Sequence, residues 1–330
     1  LNKEIALMIN RRAFALSVGF LSVSKSSSAQ GSYPQRPITL VVPFSAGSVV
    51  DAQARVIAGV LSGLLGQAIV IDNRVGVSGS LGAEYVARAV PDGYTLLVGT
   101  QGTQGTNSAF YKTIRYDPVK DFVAIHGLSG NANVLVANPG RKFTSVAQVV
   151  EFGKKYPGVL NFASGGKGTS SHLCLELLQA RTGARFTHVP YKASTAALVD
   201  LIAGTVDLMF DFVQTSAPHI RSGKVNPLAV TSASRNAVLP GVPTMAEAGY
   251  AGVEALSWGG LFAPANTPPA IVKRLSDEIE QVMKAPQVKS ALDSAASFAI
   301  GMPHEAFQAY VAKEATKWGE VIRKAGISPE

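Results

Sequence analysis

At 330 residues the chain is long enough for one large domain or two medium ones, each with a core of its own. Its 47% apolar and 16% charged content fits a compact α/β protein and excludes a disordered one. A formal charge of +8 comes without any basic run or basic–aromatic interleaving, so it marks a solvated basic surface and excludes nucleic acid as the expected partner.

Residues 1–29 have the pattern of a bacterial export signal. Asn10-Arg11-Arg12 precedes an apolar run from Ala13 to Val23, and Ser27-Ser28-Ala29 supplies a small-residue cleavage site. The mature chain is then expected to begin near Gln30, in the periplasm. The apolar run is too short to span a bilayer. Arg11-Arg12 fits the twin-arginine route and an ordinary basic leader equally well.

The apolar, β-branched run Ile38 to Val42 reads as a buried strand. Pro43-Phe44-Ser45-Ala46-Gly47-Ser48-Val49-Val50-Asp51 follows as a small-residue loop. Ala52, Val56, Ile57, Val60, Leu61 and Leu64 then recur at helical spacing, with Gly66 as the stop. A strand, loop and helix in that order expose helical N–H groups and partial positive charge, which favour an anion. Many α/β proteins have this turn and make no use of it.

Ala68 to Ile71 reads as a second strand. Gly76, Gly79 and Gly82 space the next loop, but not as a dinucleotide fingerprint. A helix over Ala83 to Ala89, a turn at Pro91-Asp92-Gly93 and a strand over Tyr94 to Val98 follow. Thr100 and Gln101 stand in the polar loop at that strand's C-terminal end, where open α/β sheets bind ligands. Val134 to Val136 reads as a further strand, and Thr144 as the cap of a helix ending before Pro157.

The opening pattern then repeats. Leu160 to Ala163 leads into Ser164-Gly165-Gly166-Lys167-Gly168-Thr169-Ser170-Ser171-His172 and a helix to about Ala180. Lys167 is followed by glycine and the leading glycine spacing is absent, so this is not a nucleotide-binding P-loop. Downstream, Ala196 to Ala203 reads as a helix, Val206 to Asp211 and Val225 to Val230 as strands, and Ser257 to Phe262 as another. Pro268-Pro269 and Pro303 open the last two helices. Cys174 is the only cysteine, which excludes an intrachain disulfide and a cysteine-based zinc site; Leu173-Cys174-Leu175 reads as a buried helix face. The five histidines have no ligand-like spacing and no hydrolase motif is present, so neither an enzyme nor a metal or cofactor is expected.

Several segments together resemble one family: YPQRPITLVVPFSAG, GAEYVARAVPDGYTLLVGT, YDPVKDF, SSHL, HVPYK, DLMFD, LAVTSASR, LPGVPTMAEAG and WGGLFAP, in that order. The chain resembles the Bug-type extracytoplasmic solute receptors of tripartite tricarboxylate transporters. That resemblance implies an α/β, type II periplasmic-binding-protein fold: two Rossmann-like lobes joined by crossover strands, with a ligand between them. Residues 33–130 and 255–330 would build the first lobe and 131–254 the second. It also implies a small carboxylate ligand, membrane permease subunits as partners, and a monomer. A signalling partner that reads the same cleft closure is the alternative.

The resemblance assigns the ligand to Phe44, Ser45, Ala46, Gly47, Ser48 and Asp51 of the first loop and to Ser164, Gly165, Lys167, Gly168, Thr169 and Ser170 of the second. His172, Tyr191, Lys192 and Asp211 also stand in its motifs; a buried His172 or Asp211 that only orients backbone is the competing reading. Ser48-Val49-Val50 departs from the family's glycine and threonine, and Lys167 stands where the family has a short neutral residue, its ammonium either meeting a carboxylate in the cleft or pointing to solvent. Ser48 and Val49 do not supply positive φ freely, and Val50 lacks a hydroxyl. About four charge-assisted hydrogen bonds yield roughly 6–12 kcal/mol gross, and micromolar binding needs about 8 net after ordering costs of at least about 4. Apolar contact is therefore expected from Phe44, Phe212, Trp258 and the two valines. The expected ligand is a carboxylate with an apolar body, aromatic dicarboxylates among the candidates.

Overall fold

The computed structural model describes residues 33–327. The export-signal reading lies outside them.

Three parallel strands open the chain: β1 (Ile38–Val42), β2 (Ile69–Asn73) and β3 (Thr95–Thr100), connected through α1 (Val49–Leu65) and α2 (Ser80–Ala87). A π-helical turn, Gly102–Thr106, and the short α3 (Asn107–Phe110) lead to β4 (Phe122–Ala137), a strand of 16 residues. Next come α4 (Val146–Lys155), β5 (Asn161–Ser164), α5 (Ser170–Thr182), β6 (Thr187–Pro190), α6 (Ser194–Ala203), β7 (Leu208–Phe212), α7 (Val213–Arg221) and β8 (Asn226–Val230). The chain returns through β9 (Leu256–Pro264), α8 (Pro269–Lys284), α9 (Pro286–Ser294), β10 (Phe298–Ala299) and α10 (His304–Lys324).

The strand order β2-β1-β3-β9-β4-β7-β5-β6 divides at β4. Its first part, from Phe122 to Ala132, pairs antiparallel with β9 and completes the first lobe. Its last five residues pair with β7 on one side, and the last four of them with β8 on the other, within the second lobe. One strand therefore belongs to both sheets. Only Val134 to Val136 was legible as strand, because Gly127, Ser129, Gly130, Asn131 and Asn133 have low β propensity. Packing requires the glycines: a Cβ on Gly127 would stand 3.0 Å from Ile300, and one on Gly260 of β9 only 2.2 Å from Phe307.

Each lobe buries its own core. In the first, Ile57, Leu61, Leu96, Leu275 and Ile279 pack on one face of the sheet, and Val41, Trp258, Phe262 and Phe307 on the other. In the second, Phe162, Phe210, Leu173 and Leu177 pack with Trp318, Val321 and Ile322. Those last three residues lie at the end of α10, whose start packs in the first lobe through Phe307 and Val311. Assigning all of 255–330 to the first lobe is therefore corrected. The helix is long enough, at about 1.5 Å per residue, to reach across, and its apolar stripe continues through Trp318 to Ile322.

Candidate ligand-binding cleft

The first wall begins where β1 ends. Ser48 caps α1, its Oγ accepting from the Asp51 N–H at 3.2 Å. The left-handed turn falls on Gly47, at φ +80°, while Ser48 is extended at φ −67°. The serine in place of glycine therefore causes no strain, since only Gly47 needs the positive φ. Asp51 is buried behind the loop. Its Oδ2 accepts from the Gly47 N–H and from Arg55 Nε, and its Oδ1 from Asn73 Nδ2, each at 2.9 Å. The Arg55 hydrogen bond, and then those from Asn73 and Gly47, hold its carboxyl well below the usual carboxylate range against the opposing effect of burial. Asn73 Nδ2 also donates to the Phe44 carbonyl. These contacts fix Phe44 and Val50 at the wall, with the first-turn amides of Val49 and Val50 unused by the helix.

Beside it, Thr100 and Thr103 exchange backbone-to-hydroxyl bonds at 2.9 and 3.3 Å and close the turn after β3. Asn107 donates to the Ser78 carbonyl and to Ser80 Oγ, and the Ser78 hydroxyl meets Tyr111 OH at 2.7 Å. Val77 and Ser78 hold φ of 45° and 51°, a strained conformation for residues with a Cβ. The strain presents the Ser78 side chain to the cleft.

The second wall follows β5. Ser164 Oγ accepts from the Gly166 N–H and meets His188 Nε2 at 2.6 Å. The Gly165 N–H donates to Ser171 Oγ, and the Gly168 N–H to His172 Nδ1 at 3.0 Å. His172 therefore carries its proton on Nε2, which faces Glu176. Its ring stacks on His188 at a centroid distance of 4.0 Å. Burial pushes the His188 imidazole down to about 4, helped by the neighbouring His172 and Lys167 and opposed by Glu176. His188 is accordingly neutral at pH 7.

Between the walls lies a cavity of about 730 Å³. The first lobe lines it with Phe44, Val50, Ser78, Thr100, Asn107, Phe110, Tyr111 and Ser257, the second with Lys167, Gly168, Thr169, His172 and His188; Gly326 and Ile327 complete the rim. No carboxylate is among these residues, and Lys167 makes no ion pair among the described residues. The cleft thus offers a free ammonium and the N-termini of α1 and α5 to an anion, with apolar surface alongside. Among the described residues no group of three or more His, Cys, Asp or Glu is placed to hold a metal ion.

Of the residues singled out from sequence, Phe44, Val50, Thr100, Lys167, Gly168, Thr169 and His172 line this cavity. The others do not. Ser45, Ala46 and Gly47 are exposed on the loop, and Ser48 and Asp51 build it from behind. Gln101 is buried under the π-helical turn, while Ser164, Gly165 and Ser170 shape the second loop. Tyr191 OH donates to Asp200 at 2.6 Å, which turns it toward α6. Asp211 is buried and accepts from Ser216 Oγ at 2.7 Å; burial pushes its carboxyl up to about 6. Phe212 ends β7 outside the cavity, and Trp258 is core, its Nε1 donating to Glu314. Sequence reasoning missed Ser78, Asn107, Phe110, Tyr111 and His188. The glycines flanking Ser78 were a usable signal; Asn107 to Tyr111 carried none.

Two α/β lobes that share a strand and face each other across an anion-favouring cleft define a solute-binding protein. A family model described as the tripartite tricarboxylate transporter family receptor, TctC, matches residues 53–327. The chain belongs to that receptor family. A curated relative, the UPF0065 protein in the tcbD-tcbE intergenic region of Pseudomonas sp. (strain P51), is 39% identical over 95% of this chain and 94% of its own. Among solved structures, R. palustris Rpa4515 with adipate is 38% identical, covering 90% of this chain and 100% of that one at TM-score 0.68. MatC from Rhodopseudomonas palustris with bound malate is 32% identical over 88% and 100%, at TM-score 0.65. A TctC solute-binding protein from Polaromonas without ligand is 25% identical over 88% and 99%, at TM-score 0.82.

Proposed function

We propose that this receptor captures a small carboxylate with an apolar body between its lobes and delivers it to the membrane permease subunits of a tripartite transporter, working in the periplasm after export. One observation carries the reading: the unpaired Lys167 and two helix N-termini open onto a cleft that holds no carboxylate and is walled by Phe44, Val50 and Phe110. The carboxylate sits between Lys167 and the α1 amides, and the aromatic and valine side chains take the body. The small acids named for two relatives support the same ligand class. The ligand-free Polaromonas protein is less identical yet superposes better than those two, which supports reading this arrangement as the open, unliganded form. A ligand that touches both walls selects the closed form.

A thermal-shift panel of hexanoate, adipate, phthalate, malate and citrate tests the assignment. Saturation at about 100 times Kd stabilises by roughly 2.7 kcal/mol, so at least one acid with an apolar body should raise the melting temperature. Stabilisation by citrate alone refutes the ligand class. Small-angle scattering should show a smaller radius of gyration with the stabilising acid; an unchanged radius at saturation refutes closure.

A further inference from the structure

The cleft has a smaller neighbour. A cavity of about 80 Å³ lies beneath the start of α1, against β3, β4 and β9, and shares Val50, Thr100 and Ser257 with the main cleft. It has room for about three waters, or for a short alkyl chain or a ring edge. Ala54, Ile57, Val98, Leu128 and Trp258 form its buried apolar wall, and Val49 and Val50 add apolar surface toward the opening.

Its polar groups are largely committed to one another. Gln53 donates to Ser297 Oγ and accepts from Ser129 Oγ, both at 3.1 Å, and Asn131 Oδ1 accepts from Ser297 Oγ at 2.8 Å. No charged side chain lines the cavity. The nearby cation, Lys167, belongs to the main cleft and to the opposite lobe. A carboxylate entering this annex would lose its hydration with no cation to replace it, whereas a methylene chain would exchange water for apolar contact.

We propose that the annex is a subsite for the uncharged tail of the bound acid, so that the receptor selects monocarboxylates with an alkyl or aryl tail over diacids of equal length. The inference rests on the carboxylate reading of the cleft. The carboxylate end stays between Lys167 and the first-turn amides of α1, and the tail passes the shared rim at Val50 and Ser257. Ala54 sets the depth, because its methyl group forms part of the annex wall from within α1.

Isothermal titration of the full chain with butanoate, hexanoate, adipate, malate and citrate tests this, together with the variant Ala54→Leu, which fills the annex. Each buried methylene improves affinity about fourfold, so hexanoate should bind roughly tenfold or more tighter than butanoate, and at least about tenfold tighter than adipate. Ala54→Leu should erase the gain of hexanoate over butanoate. Adipate binding as tightly as hexanoate overturns the annex and leaves the carboxylate reading standing. An Ala54→Leu protein that melts cooperatively and keeps the full preference for hexanoate overturns it as well. If that variant does not fold, the order of hexanoate and adipate in the unmodified protein decides. Binding of none of the five acids overturns both readings.

Discussion

Replacing Asp51 with asparagine tests how the first wall is held. The carboxylate accepts three hydrogen bonds at 2.9 Å, from Gly47, Arg55 and Asn73. Bonds to a charged acceptor net about 1.5–3 kcal/mol and neutral ones about 0.5–1.5. The asparagine oxygen can keep the Gly47 and Arg55 bonds at neutral strength, but its amide then faces the Asn73 amide, donor against donor. Asn73 has no easy flip, because it also donates to the Phe44 carbonyl and accepts from Arg55. The Arg55 share is discounted, since that side chain is 50% exposed. The sum is about 2–4 kcal/mol, or a melting temperature lower by roughly 4–8 °C at about 2 °C per kcal/mol for a chain of this size.

The pH dependence gives the same test a second readout. The folded-state carboxyl titrates below the unfolded value of about 3.9, so its contribution is complete above pH 4 and is lost as pH falls through the folded value. Asparagine does not titrate. Scanning calorimetry should therefore find a constant gap between the two proteins from pH 8 to 5 and a narrowing gap below pH 4. Equal melting temperatures at pH 7, or a gap that widens in acid, would refute the clamp.

Lys167→Ala should weaken binding of the stabilising acid roughly tenfold and flatten its salt dependence in titrations; unchanged affinity would turn Lys167 toward solvent in the bound form. Asp211→Asn should raise the urea midpoint at pH 7 and not at pH 4. Burial lifts the folded carboxyl to about 6, above its unfolded value, so the charged form opposes folding only at the higher pH. His188 should remain neutral by nitrogen NMR from pH 8 to 5. Because its folded value of about 4 lies below the unfolded 6.5, its linkage should lower stability as pH drops between the two. A His188 midpoint near 6.5 would contradict the stacked, buried arrangement.

The strand–loop–helix units were legible because each joins a β-branched run, a cap and a helical stripe: Ile38–Val42 with Ser48 and Ile57, and Leu160–Ala163 with Leu173 and Leu177. The long β4 was not, since its middle satisfies packing against Phe307 and Phe298 at the expense of local propensity. At the site, Phe44, Val50 and Lys167 were legible from their loops. Asp51 was legible as important but not in its role, because a carboxylate four residues before Arg55 reads alike whether it faces a ligand or a backbone. Tyr111 and His188 reach the cleft only through tertiary placement, which no local pattern encodes.

The passage of α10 from one core to the other bears on the order in which the protein completes itself. Trp318, Val321 and Ile322 fill the hydrophobic interior of the lobe whose strands and helices lie mostly between residues 131 and 254. During synthesis from the N-terminus, that interior waits for a helix made more than sixty residues after β9 has begun. The second lobe cannot finish as an independent unit, and contacts of such long sequence separation form late. Because α10 closes both cores, neither lobe is locked until that helix has been made and docked, and the two lobes are completed together and not in turn.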